Sequence, residues 1–388
     1  MYSHDTYGLG HIRRTMAIAS QLRGPDTNIL ILTGSPIVGR FALPDQIDFV
    51  RIPGMIKKTN EEYLPLSIKI NPKHVLDIRK NIIKATAKTF QPQLLIVDKE
   101  PLGLKKEVLP TLKWLKRCLP GTRTILGLRD IMDESSVTIR DWTEKGIYDV
   151  LDDLYDEIWV YGIRDFYDPI KEYAIPPSLS RKITFTGYIP RKIPNRKIVR
   201  KVRKKNGMKN GEKMVVVTAG GGGDGFAMMD TFLNMMEAGN KMPFKTVFIT
   251  GPFMPREERD LISERAKKLG ARAWHFYSRM EETIAAADLV VCMGGYNTVC
   301  EVLSQRKPSL IIPREVPRQE QLIRAQVLKS KMLADYIPWN GFNPETLLPK
   351  IVELLEHPEP YLEAMTAFKL TGFEVMMERL NAIRNEEP

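Results

Sequence analysis

The residues best suited to chemistry lie in two glycine-rich turns of the second half. A β-branched run at 214–218 leads into Ala219, four consecutive glycines from Gly220 to Gly223, Asp224 and Gly225, and then a helical run from Phe226. A glycine turn at the C-terminal end of a strand aims backbone N–H groups at a phosphate. A second turn, Gly294-Gly295, joins the apolar run 289–292 to a helix, with Asn297 or Thr298 placed to cap it and Glu301 in its first turn. Either loop alone also describes a tight turn without a ligand, but two of them at strand ends of one sheet suit a diphosphate. A carboxylate in a phosphate-facing turn fits a ribose diol, whose two hydroxyls donate to one acceptor group. The plainer reading of Glu301 is a charge that satisfies the helix dipole.

The elements that must position these groups alternate in type. Short β-branched runs at 29–33, 94–98, 124–128 and 158–161, and again at 214–218, 246–250, 271–276, 289–292 and 309–312, are separated by segments of helical period. That rhythm predicts an α/β chain with two parallel, doubly wound sheets. With 388 residues the chain exceeds one ordinary core, so two domains are expected: 1–188, a basic linker at 189–212, a second domain at 213–357, and a helical tail at 358–388. The stretch 191–209 is free of Asp and Glu. Three cysteines without ligand spacing imply neither a disulfide framework nor a metal site and fit a reducing cytoplasm. No apolar run approaches the roughly 20 residues of a membrane span. A net charge of +11 points to an anionic partner without choosing among them. Only residues 1–5 precede the turn Gly8-Leu9-Gly10-His11, so the first strand is expected to be a stub or to begin upstream.

The spaced elements His275-Phe276, Met280, Ala287-Asp288, Gly294-Gly295, Glu301, Lys307-Pro308, Pro313, Glu320-Gln321 and Arg324-Ala325 resemble the donor domain of glycosyltransferase family 28, of the MurG-like, GT-B type. The resemblance is strong over 214–327; in the first half it is limited to the turn at His11 and general layout. It implies two Rossmann-like domains facing across a cleft, with acceptor binding in the first and a nucleotide-sugar donor in the second. Phe276 and Tyr277 would lie against the nucleobase and Glu301 would take the ribose. Gly222, Gly223 and Gly225, with Gly294, Gly295, Asn297 and Thr298, would face the diphosphate, while Glu320 and Gln321 would bind the donor sugar. Gly187-Tyr188-Ile189-Pro190-Arg191 resembles a further family element, making Arg191 a nucleotide contact; on charge alone it is equally a linker cation. Two departures stand out: Gly223 replaces a serine of the family loop and Arg324 an asparagine.

Inverting transfer needs a base to deprotonate the acceptor hydroxyl. His11 is the first candidate, on a glycine turn at a helix N-terminus, where the dipole favours neutral imidazole. Asp98 either orients His11 or takes its place; Glu100, Arg129 and Asp130 are similarly placed. No Asp-x-Asp triplet occurs, so the expected enzyme needs neither metal nor resident cofactor. The function expected is transfer of a hexose or N-acetylhexosamine, UDP-linked by resemblance, to a glycan or glycolipid hydroxyl in envelope or polysaccharide synthesis. A nucleotide-sugar 2-epimerase or hydrolase, or a non-catalytic sugar-nucleotide binding subunit, stands as the alternative. Nucleic acid is not expected, since the basic stretch lacks interleaved aromatics. The apolar and basic segment 52–70 reads either as a contact with the anionic inner membrane face or as an ordinary acceptor-side loop.

Overall fold

The structure, a computed structural model, describes residues 1–4, 10–57, 63–239, 242–277 and 279–386. The β-branched runs form strands, and the short ones between them complete the sheets. The first set is β1 Tyr2–Ser3, β2 Ile29–Thr33, β3 Ile47–Arg51, β4 Met55–Lys57, β5 Tyr63–Pro65, β6 Leu94–Asp98, β7 Arg123–Arg129, β8 Glu157–Tyr161 and β9 Ile183–Phe185. The second is β10 Lys213–Thr218, β11 Phe244–Ile249, β12 Arg272–Trp274, β13 Leu289–Cys292, β14 Ser309–Ile311 and β15 Asp335–Tyr336.

Two parallel sheets result, ordered β3-β2-β1-β6-β7-β8-β9 and β12-β11-β10-β13-β14-β15. The central strands β10 and β13 are almost wholly buried, as a sheet covered by helices on both faces requires. In each sheet the chain starts at a central strand, winds to one edge, and returns to the other side of its starting strand. The reversal falls between β1 and β6 in the first sheet and between β10 and β13 in the second. At such a switch point the flanking loops diverge and leave a crevice at the strands' carboxyl ends. Strands β4 and β5 form a separate antiparallel pair.

The chain divides into two units, residues 1–189 with 371 onward, and 190–370. The expected linker is part of the second unit. Residues Arg196–Lys205 form a helix that packs on the helix Met280–Ala286, with Val202 buried and Arg203 donating to Asp288 at 3.0 Å. Its dense charge concealed the period that Ile198 and Val202 supply. The tail is likewise shared. The helix Glu359–Ala367 lies in the second unit, whereas Gly372–Glu386 returns to the first, burying Met376, Leu380 and Ile383 and pairing Arg379 with Glu157 at 2.6 Å. The 271–276 strand is shorter than expected, ending at Trp274. No helix among the described residues is long and apolar enough to cross a membrane.

Candidate active site

In the first unit the switch point brings together three side chains from two elements. His11 is the second residue of the helix Gly10–Leu22, and Asp98 ends β6. Gly8 and Leu9 of the preceding turn lie outside the described residues. The imidazole Nδ1 meets Asp98 Oδ2 at 2.5 Å. Arg14, one helical turn beyond His11 and 1% exposed, donates from Nε to Asp98 Oδ1 at 2.8 Å and from Nη2 to Oδ1 and Oδ2 at 2.6 and 2.8 Å. The guanidinium and imidazole beside Asp98 outweigh its burial and hold its carboxyl well below the usual carboxylate range. An ionised carboxylate only accepts, so Nδ1 carries the proton and Nε2 presents its lone pair. Burial is the largest influence on His11 and lowers its proton affinity, with Asp98 opposing. The result is a neutral, oriented imidazole, the form a general base requires.

The neighbouring candidates are built differently. Asp130 is fully buried, accepting from Tyr188 Oη at 2.5 Å and from the Ile131 N–H at 2.8 Å, which fits a structural role. Glu100 is half-buried and pairs with Lys99 at 3.3 Å. Arg129 ends β7.

In the second unit the loops after β10 and β13 flank the other switch point. Gly222 has φ +91°, and a Cβ there would stand 2.1 Å from the Thr250 carbonyl oxygen. A Cβ on Gly225 would meet that of Ala219 at 2.0 Å. The backbone thus takes a path open only to glycine, tight against the Thr250-Gly251 turn. Gly294, at φ +74°, closes on Ile311 in the same way, and a Cβ on Gly220 would reach Thr298 Oγ1 at 3.5 Å, so the two loops adjoin. Gly295, extended at φ −60° and ψ 142°, precedes the helix Tyr296–Gln305 without any side-chain cap, so neither Asn297 nor Thr298 caps it. Their place is inside the first turn. A first turn that no side chain caps is of the kind suited to an anion.

Residues 214–380 match the family model for the glycosyltransferase family 28 C-terminal domain. Residues 214–380 thus carry a family 28 C-terminal domain. Similar proteins include the UDP-N-acetylglucosamine--N-acetylmuramyl-(pentapeptide) pyrophosphoryl-undecaprenol N-acetylglucosamine transferase of Streptococcus uberis, 39% identical over 82 residues, or 21% of this chain and 23% of that one. The enzyme of the same name from Bacillus cytotoxicus is 26% identical over 193 residues, 46% of this chain and 53% of that one. The matches thus span about a quarter to a half of these relatives' length. Among solved structures, MurG of Acinetobacter baumannii superimposes with a TM-score of 0.61 at 13% identity, covering 98% of each chain. The calicheamicin glycosyltransferase gives 0.62 at 13% identity, over 100% of this chain and 98% of that one. The fold is GT-B.

In the second unit several expected residues gather around the glycine loops. Arg191 runs along the helix Tyr296–Gln305: its backbone N–H donates to Ser304 Oγ at 2.8 Å, its Nη2 to Asn297 Oδ1 at 2.8 Å, and its buried Nη1 meets no acceptor among the described residues. Glu320 and Gln321, in the first turn of the helix Glu320–Ser330, are buried, and Gln321 Oε1 accepts from the Arg314 N–H at 2.9 Å. Glu301 departs from expectation. It sits in the second turn, because the helix begins at Tyr296, and it is 2% exposed, so it belongs to the buried interior and not to an open turn. Tyr277 packs edge-on against Trp274 at 5.9 Å under Lys205, and Phe276 is half-buried beside it.

Two side chains that build these loops and contacts, Arg14 and Arg314, escaped sequence reasoning, and a third, Arg324, was read only as a departure from the family pattern. Arg14 lies three residues after His11, a one-turn spacing that was a legible signal. Arg314 donates to Asp224 Oδ2 at 2.6 Å and stands 3.7 Å from Glu320, tying the first glycine loop to the helix Glu320–Ser330. Arg324, wholly buried, donates to the Gly294 carbonyl at 3.2 Å and so supports the second loop from beneath.

Proposed function

We propose that the chain is an inverting glycosyltransferase that moves a hexose or N-acetylhexosamine from a UDP-linked donor to a hydroxyl of a glycan or glycolipid, without a metal ion or resident cofactor. The observation that carries the transfer chemistry is the partly buried His11, its Nδ1–H on Asp98 while Arg14 fixes that carboxylate. In the reaction the acceptor hydroxyl gives its proton to His11 Nε2. Its oxygen forms the new bond to the anomeric carbon, and the bond from that carbon to the diphosphate oxygen breaks with its electron pair leaving on UDP. Asp98 stabilises the imidazolium formed and keeps the tautomer, as a carboxylate behind a catalytic histidine does.

Donor binding is assigned to the family 28 domain. The close backbone of Gly222, Gly223 and Gly225 and the turn Gly294–Gly295, with the helix N-terminus at Tyr296 and Arg191 Nη1, are suited to the diphosphate and its leaving charge. Asn297 and Thr298 line that turn. Phe276 and Tyr277 are assigned to the base and Glu320 with Gln321 to the sugar; Glu301, buried in the second turn of its helix, is assigned to the ribose on the family resemblance alone. The names of the relatives, with a UDP-sugar donor and an undecaprenol-linked acceptor, support this choice of substrates and a place in envelope synthesis.

Calorimetric titration with a panel of nucleotide sugars in a chelating buffer tests the reading. One UDP-sugar is expected to bind, and UDP alone to raise the unfolding temperature. Binding only with added manganese, or conversion of the donor to its epimer with no acceptor present, would replace the proposal by another chemistry.

A further inference from the structure

Ten of the chain's 58 lysines and arginines, and none of its 47 aspartates and glutamates, fall between residues 191 and 209, so ten charges of the net +11 reside in one short stretch. Three of the ten are employed within the second unit. Arg191 bonds Asn297, Arg203 pairs with Asp288, and Lys205 covers the rings of Trp274 and Tyr277 at 4.5 and 4.8 Å. Arg196, Lys197, Arg200, Lys201 and Lys204 are different. All five are exposed on the helix Arg196–Lys205, and at 3.6 residues per turn they fall within an arc of about 140°. Ile198 and Val202 hold the opposite arc against the fold, and Arg203 borders the stripe. Among the described residues none of the five makes an ion pair.

The stripe works against the helix that bears it. Arg196 with Arg200, Arg200 with Lys204, and Lys197 with Lys201 are like charges four residues apart, each pair destabilising. Arg196 and Lys197 also stand in the first turn, which has no acidic residue and where the helix dipole disfavours cations. Such a stripe gains free energy only from an anion outside the chain. Just before it stands Ile193, 72% exposed, an apolar side chain beside the cations. No aromatic residue occurs in the helix to stack on a base, which sets single-stranded nucleic acid aside.

We propose that this helix docks on an anionic lipid bilayer, its five cations meeting headgroup phosphates while Ile193 enters the acyl boundary. The surface lies in the second unit, apart from the segment 52–70 whose composition suggested a membrane contact, and it stands independently of the reaction proposed above.

Sedimentation of the full chain with phospholipid vesicles tests it. Binding is expected to vesicles in which about one-third of the lipid is phosphatidylglycerol and not to pure phosphatidylcholine, and to fall several-fold as salt rises from about 0.1 to about 0.5 M. Arg200→Glu with Lys201→Glu and Lys204→Glu should lower the partition on the order of a hundredfold, since each cation near such a surface counts for about tenfold or less. The glutamine versions should lower it less, and Ile193→Ser only a few-fold. A charge-matched control with Lys113→Glu, Arg117→Glu and Lys171→Glu, all exposed in the first unit, should keep most of the binding. Equal loss in the control, no preference for the anionic vesicles, or unchanged binding in the folded stripe variants would overturn the proposal. So would an oligonucleotide retained through the stripe while vesicles are not.

Discussion

Burial lowers the proton affinity of His11, the Asp98 carboxylate at 2.5 Å raises it, and burial is the larger influence. The imidazole therefore stays a base as the medium is acidified through the ordinary histidine value of 6.5. The acid limb of kcat/KM is expected below that value; a limb above it would contradict a neutral His11. Asp98→Asn removes the charge that fixes the tautomer and should lower turnover on the order of a hundredfold, with nucleotide affinity retained. Rate measurements beside titrations separate the two effects. His4, buried 5.6 Å from the His11 ring, is pushed down to about 3, again chiefly by burial. A histidine depressed in the native state leaves stability intact above its unfolded pKa and erodes it below, because the unfolded chain binds the proton first. Between pH 6.5 and 5 this one residue should remove roughly 1–2 kcal/mol. Denaturant unfolding of His4→Asn should show a shallower pH slope over that interval, whatever its absolute stability; an unchanged slope would show that His4 does not titrate between the states.

At the scale of elements, the glycine loop after β10 contains two adjacent glycines with opposite tolerance. A methyl group on Gly222 would overlap the Thr250 carbonyl at 2.1 Å in a left-handed backbone, whereas Gly223 is exposed. Gly222→Ala is expected to distort the loop and abolish UDP binding. Gly223→Ser, which restores the hydroxyl the family loop carries, should fold normally and bind UDP a few-fold more tightly. Calorimetry on the two variants decides; tolerance of alanine at Gly222 would mean that the loop backbone is not what holds the diphosphate. Both loops were legible because glycine following a β-branched run carries its own geometry. The start of the helix at Tyr296 was not, since an extended Gly295 leaves no capping side chain to read, and the error moved Glu301 by a turn and concealed its burial.

For the molecule as a whole, two parallel sheets followed from strand-helix rhythm, and the reversal of strand order explains why His11 and the Gly294 turn lie where they do. Short strands such as β9 and β15, with three and two residues, hold their place through pairing with distant partners and leave little pattern behind. For Arg14 the one-turn spacing from His11 was legible, but its partner Asp98, 84 residues away, was not. Composition misled at 191–209, where charge density suggested a linker and Val202 anchors a helix. The division of labour is the central claim: His11 in the first unit does the proton chemistry and the family 28 domain binds the donor. The most direct measurement is on His11→Ala, comparing donor affinity by calorimetry with UDP release in the presence of lipid-extract acceptors. The account predicts affinity within about twofold of wild type and turnover lower by about a hundredfold or more. Wild-type turnover in the folded variant, or affinity lost in step with turnover, would contradict it.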